Sequence, residues 1–166
     1  MKAAATEDDR IWRALADGLR RRMLDALAEA PRTTGEMARL LGSTPAEVQA
    51  DRLHSAVEAA RRWHKVVVLK GACTVVAEPE GNASISEFAN SGLATAGTGD
   101  VLAGAIVGLL AQHLSPWNAA RLGVYLHGSA GEIARERFGP AGMTASDLLN
   151  ALPEAWMRLE KSLPAE

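Results

Sequence analysis

Apolar residues at the start of the chain recur at helical spacing. Ile11, Leu15, Leu19, Met23, Leu24 and Leu27 alternate with Arg and Asp, which predicts one or two helices over residues 8–29 with Gly18 as the candidate break. Ala30-Pro31-Arg32-Thr33-Thr34 stops this run. Thr34 is placed to cap a short helix reaching Gly42, with Met37, Leu40 and Leu41 on its apolar face. Ser43-Thr44-Pro45 reads as a cap and first turn, because Pro at the first helical position gives up no useful donor. The helix it opens is expected to run to Trp63, with Val48, Leu53, Val57 and Ala60 along one side. At His64 the period changes. Val66-Val67-Val68-Leu69 is a continuous apolar run, the pattern of a strand buried on both faces. Lys70-Gly71 interrupts it, Thr74 to Ala77 is a second strand, Pro79 to Asn82 a turn, and Ser84 to Phe88 a weaker third strand. A segment rich in Gly, Ala and Thr, Ala89 to Asp100, then leads into an apolar helix from Val101 to Gln112. Ser115-Pro116 opens another helix to Phe138, which Gly139-Pro140 ends. Thr144 to Asp147 caps a last one, Leu148 to Leu159, with Pro153 as an awkward interior residue.

Composition narrows the class. The chain has 166 residues, 48% hydrophobic and 23% charged, the balance of a globular protein with a core of its own. Aromatics are 4% against 15 glycines, so the core must be aliphatic and its helices must pack closely. A net charge of −2 supplies no basic field for nucleic acid. One cysteine excludes an internal disulfide framework and a cysteine-based metal cluster. No apolar run reaches membrane-spanning length, and the acidic start MKAAATEDDR is followed by no signal-type apolar region. A soluble protein of the reducing cytoplasm, off the membrane, is the expectation.

The chemistry concentrates in Gly97-Thr98-Gly99-Asp100, where a loop enters a helix. The first amides of a helix have no internal partner and carry the positive end of its dipole. Glycines there let an anion approach the backbone, which suits a phosphate or the charge on a transferring phosphoryl group. Asp100 is positioned to accept a proton from a hydroxyl docked beside that phosphate. The plain alternative is a tight turn followed by an acidic residue that favours a helix start. Lys70, at a strand end, either reaches a phosphate or extends to solvent. Cys73 and His127 read as packing residues, and His54, His64 and His113 lack metal-ligand spacing. Arg20-Arg21-Arg22, the one basic cluster, reads as a solvated helix face.

The stretch from Asn90 to Gly104 (NSGLATAGTGDVLAG) resembles the ADP-dependent NAD(P)H-hydrate dehydratases of the ribokinase-like superfamily. So do EVQADRL (Glu47 to Leu53), VVVLKGACT (Val66 to Thr74), and downstream LSPWNAARLGVYLHGSAGEIA and TASDLLNALPEAW, continuously from about Gly35 to Leu159. The resemblance implies an α/β fold, the C-terminal part of a ribokinase-like three-layer sandwich, with a central, mostly parallel sheet between helices. It implies repair of hydrated NADH and NADPH: a phosphoryl group passes from ADP to the hydrate hydroxyl, and its loss restores the nicotinamide. Asp100 would then be the base and a contact of the NAD(P)H hydrate. The amides of Gly97, Thr98 and Gly99 would be the anion hole. Lys70, Gly71, Ala72, Cys73, Thr74 and Gly99 would bind ADP or AMP, with Mg2+ bridging the phosphates.

The resemblance ends near Gly35. The family has a His-Pro pair before its Gly-Glu, and its His binds the hydrate; Thr33 stands in that place here. Residues 8–42 instead resemble the opening of an arsenic-repressor-type winged-helix regulator, without the recognition helix and wing. Two regions are therefore expected, a helical segment over 1–34 and a partial dehydratase domain over 35–166. The family's N-terminal half, with several central strands, has no counterpart, which predicts weak nucleotide binding, low or absent turnover, and an exposed sheet edge that favours a homo-oligomer. Other readings are a different ribokinase-like small-molecule kinase, a noncatalytic nucleotide-binding or oligomerising module, and, last, a DNA-binding regulator.

Overall fold

A computed structural model describes residues 34–162. The expectations for residues 8–33, including Thr33 and most of the regulator-like stretch, lie outside the described residues. The described chain runs α1 (Thr34–Leu41), α2 (Pro45–Ala50), α3 (Arg52–Trp63), β1 (Val67–Leu69), β2 (Val75–Ala77), β3 (Ala83–Ile85), a 3-10 turn (Ser91–Ala94), α4 (Thr98–Ala111), α5 (Pro116–Phe138) and α6 (Ala145–Ser162).

Local signals set most boundaries. Thr44 caps α2 in a capping box: its hydroxyl accepts from the Glu47 amide, and the Glu47 carboxylate accepts from the Thr44 amide. These hydrogen bonds hold the Glu47 carboxyl below its usual range. The helix expected from Pro45 to Trp63 is two, because Asp51 leaves helical geometry (φ −137°, ψ 78°) and its side chain accepts from the His54 amide to cap α3. His64 ends α3 in the left-handed region at φ 52°. Thr144, just before α6, and Asp147 in its first turn exchange hydrogen bonds, so the helix starts at Ala145 and not at the expected Leu148, and it carries Pro153 inside it.

The three strands form an antiparallel meander in the order β1-β2-β3, with Leu69 opposite Val75 and Val75 opposite Ile85. The mostly parallel sheet that the resemblance implies is not found among the described residues. The apolar run at Val66 to Leu69 is covered on both sides, as its pattern predicts, because helices lie on both faces of the sheet. Val67, Leu69, Val75 and Ala77 pack with Ala56, Ala59 and Ala60 of α3. Val76, on the opposite face, packs with Leu102 of α4 and Ala120 and Val124 of α5. The result is three layers, helices on sheet on helices, as the fold class requires. The third strand is shorter than expected and its Ile85 is exposed.

A third cluster joins Leu109, Ala119, Leu126, Ala130, Ile133, Leu148 and Ala151 of α4, α5 and α6. Here the shortage of aromatics is explained. On α5, Gly123 faces Ile106, Gly128 faces the Phe88 ring and Gly131 faces Leu93, each too close for a Cβ. Glycines on α5 make room for large side chains arriving from α4 and from the segment before it.

Candidate functional site

Gly97 opens α4 in the left-handed region at φ 87°, a backbone that favours glycine, so the helix starts at Thr98 rather than at Val101. Thr98, Gly99 and Asp100 therefore make up its first turn. Thr98 is 3% exposed, and its hydroxyl lies 2.6 Å from the Leu93 carbonyl and 2.8 Å from that of Thr95, which share its one proton. Its side chain thus ties the loop down and faces no solvent.

The amides of this turn are not equivalent. That of Thr98 donates to the Thr95 carbonyl at 3.3 Å and that of Asp100 to the Gly97 carbonyl at 3.0 Å. Those of Gly97 and Gly99 have no acceptor among the described residues. Of the three amides expected to form an anion hole, Gly97 and Gly99 are open, while Thr98 is engaged through a long hydrogen bond. The Asp100 side chain is exposed beside them.

Lys70 reaches this turn from the end of β1. A Cβ on Gly99 would overlap its ammonium group. The Lys70 side chain is exposed and ends against the glycine loop. His127 of α5 lies beneath: its Nε2 is 2.9 Å from the Thr98 carbonyl and, since a carbonyl only accepts, carries the proton of that hydrogen bond. Burial holds the His127 pKa below its ordinary value; the Thr98 hydrogen bond opposes this, and the Lys70 charge adds to it. His127 is the packing residue its sequence context predicts, and its hydrogen bond also ties α5 to the first turn of α4.

The loop from Lys70 to Thr74 has two residues with positive φ, Gly71 at 147° and Cys73 at 53°. Thr74 donates its hydroxyl to the Gly71 carbonyl at 3.1 Å, and the Cys73 amide donates to the Phe88 carbonyl at 3.0 Å. Arg52 of α3 donates to the Leu69 and Ala72 carbonyls at 2.8 and 3.1 Å. Asn90 accepts from the Gly92 amide and donates to the Gly131 carbonyl, fixing the 3-10 turn to α5. The roles of Arg52 and Asn90 depend on carbonyls distant in the chain.

The arrangement joins one exposed ammonium, two open amides, the N-terminus of a 14-residue helix and an exposed carboxylate. It can hold an anion and take a proton from a neighbouring group. A separate cavity of about 170 Å³ lies between β3 and α5, lined by Val76, Phe88, Arg121 and Tyr125, away from this turn. No group of three or more His, Cys, Asp or Glu able to hold a metal occurs among the described residues. No described helix is long and apolar enough to cross a membrane.

Residues 31–154 match the family described as NAD(P)H-hydrate dehydratase. The bifunctional NAD(P)H-hydrate repair enzyme of Moorella thermoacetica is 52% identical over 129 residues, which are 78% of this chain and 24% of that protein. The ADP-dependent (S)-NAD(P)H-hydrate dehydratase of Neisseria meningitidis is 43% identical over 129 residues, 77% of this chain and 44% of that one. The crystal structure of the ADP/ATP-dependent NAD(P)H-hydrate dehydratase from Bacillus subtilis, co-crystallized with ATP/Mg2+, superposes with a TM-score of 0.71 at 38% identity, covering 75% of this chain and 45% of that one. The chain spans less than half the length of these relatives.

Proposed function

The chain belongs to the NAD(P)H-hydrate dehydratase family, and on that premise we propose that it binds ADP across its two glycine loops and uses Asp100 in the repair of hydrated NADH and NADPH. The observation that carries this reading is the meeting of two loops distant in sequence. The ammonium of Lys70, from Lys70-Gly71-Ala72-Cys73-Thr74, lies against Gly99 of Gly97-Thr98-Gly99-Asp100. The space over Gly99 is one that a Cβ would fill.

In this reading Lys70 and the open amides of Gly97 and Gly99 hold the phosphoryl group being transferred, and the α4 dipole stabilises its charge. Thr98 serves through its side chain, which fixes the loop. Asp100 takes the proton of the hydrate hydroxyl. The hydroxyl oxygen forms the new bond to phosphorus, the bridging bond in ADP breaks, and AMP leaves. Elimination then breaks the carbon–oxygen bond, with loss of a proton from the neighbouring carbon, releasing inorganic phosphate and the restored nicotinamide. Mg2+ bound with the nucleotide would supply positive charge to its phosphates. The cytoplasm is the compartment of this reading, which rests there on the lone cysteine. A homo-oligomer also belongs to it, supported by the exposed Ile85, Leu149 and Met157, and sedimentation velocity tests it.

Calorimetric titration with ADP, run on the chain and on Asp100→Asn, tests the reading. Weak binding by both proteins is expected, because Asp100 acts on the hydroxyl and not on the phosphate. No heat in either sinks the nucleotide site. Recovery of NADH absorbance from its hydrate, dependent on ADP and lost in Asp100→Asn, tests the chemistry; activity that survives the substitution rules out Asp100 as the base.

A further inference from the structure

Arg52 carries a charge for which the described structure shows no ionic partner. No carboxylate of the described residues lies within ion-pair distance of it, and its Nε is buried without a hydrogen-bond partner. Both terminal nitrogens are spent on backbone carbonyls, Leu69 on one side of the Lys70–Gly71 turn and Ala72 on the other. The guanidinium presses so closely on Gly71 that a Cβ there would overlap it. A half-buried cation fixed in this way is costly unless it holds something in place.

What it holds follows from peptide geometry. The C=O and N–H of one planar peptide unit point in opposite directions. Binding the Leu69 carbonyl fixes the Leu69–Lys70 peptide and so the root of the Lys70 side chain. Binding the Ala72 carbonyl turns the Cys73 amide the other way, where it meets the Phe88 carbonyl. The fork also draws two carbonyl dipoles toward α3. Lys70 leaves the turn as a second cation and ends against Gly99.

We infer that Arg52 is a positioning residue for ADP: its planar fork sets the Lys70–Thr74 loop so that the Lys70 ammonium stands over Gly99, where a phosphate is held. The inference rests on the nucleotide reading above and adds to it a residue that touches no ligand. Lysine in this place keeps the charge and loses the fork.

The test is a double-mutant cycle with ADP affinity measured by calorimetry at fixed salt, using Arg52→Lys, Arg52→Gln, Lys70→Met and the Arg52→Gln/Lys70→Met pair. Arg52→Gln and Arg52→Lys are each expected to weaken ADP at least about tenfold, the worth of one charge-assisted contact. In the Lys70→Met background Arg52→Gln is expected to cost less than about threefold, since its effect runs through Lys70. Amide exchange of residues 70–74 without nucleotide is expected to quicken in both Arg52 variants. Full affinity in Arg52→Lys overturns the fork. Equal losses with and without Lys70 show a general structural effect and overturn the positioning role. No heat from the unsubstituted chain would overturn the nucleotide reading itself, and this inference with it; heat there, undiminished in the Arg52 variants, overturns this inference alone.

Discussion

Alanine at Gly99 is expected to leave the fold as stable as before, or more so, while damaging the anion site. Gly99 has helical backbone geometry, so alanine meets no strain in φ; only Lys70 stands in the way. Gly to Ala inside a helix stabilises by about 1 kcal/mol, and in the first turn a gain of about half that is reasonable. The obstruction is the far end of a flexible side chain, which swings aside at little cost to folding. Swinging aside removes the ammonium from the open amides, and the new methyl covers the backbone that an anion would approach. A charge-assisted hydrogen bond contributes about 1.5–3 kcal/mol, so ADP affinity should fall roughly 10- to 100-fold. Gly104 supplies the control: it lies in the same helix with nothing within 4 Å of a Cβ, so Gly104→Ala should stabilise by about 1 kcal/mol and leave ADP binding unchanged. Urea unfolding and calorimetry on the two variants separate the effects. Gly99→Ala binding ADP as tightly as Gly104→Ala would falsify the placement of the phosphate over Gly99.

Two further outcomes follow from the packing around the site. Gly128→Ala drives a methyl into the Phe88 ring, whose edge-on contact with Tyr125 limits its retreat, so a loss of about 1–3 kcal/mol is expected; an unchanged urea midpoint at constant slope refutes that close contact. His127 is held below its ordinary value of 6.5 by burial, and the sign of its pH effect follows. Above pH 6.5 the imidazole is neutral in both folded and unfolded chains and contributes nothing. Below pH 6.5 the unfolded chain takes up a proton that the folded one resists, so stability falls as pH falls toward the folded pKa. Urea curves from pH 7.5 down to 5 should therefore show the parent losing stability relative to His127→Gln, and parallel curves contradict the burial argument.

Reading the sequence recovered the elements whose cause is local. The Thr44 cap, the change of period at His64 and the long helix closed by Gly139 are set by neighbouring residues and have their expected places, while the helix after Thr144 starts at Ala145, three residues before the expected Leu148. Asp51 reads as an ordinary polar residue on a helix face, and only its hydrogen bond to the His54 amide reveals a boundary. The parallel sheet came from the family resemblance alone: the run Val66 to Leu69 was itself legible as a strand buried on both faces, and such a run says nothing of strand direction. In the site, glycine and aspartate were legible because their chemistry belongs to a single turn. Arg52 and His127 were not: what they do depends on carbonyls 17 and 29 residues away.

The same distance effect explains how the site is held. Val76 stands on the face of β2 turned toward α4 and α5, where it packs with Leu102, Ala120 and Val124. Leu102 lies just past the GTGD turn, and β2 begins just past the Lys70–Thr74 loop. One small aliphatic cluster thus fixes the spacing between the two loops. Polar ties complete the frame: Arg52 sets the first loop from α3, and His127 and Asn90 attach the second to α5. All three act on main-chain groups. The small residues of α5 serve this arrangement too, since Phe88 and Leu93, which precede the GTGD turn in the chain, settle against Gly128 and Gly131. The scarcity of aromatic residues and the abundance of glycine therefore have a common physical reason. Loops brought this close to a helix require its facing positions to be nearly bare backbone.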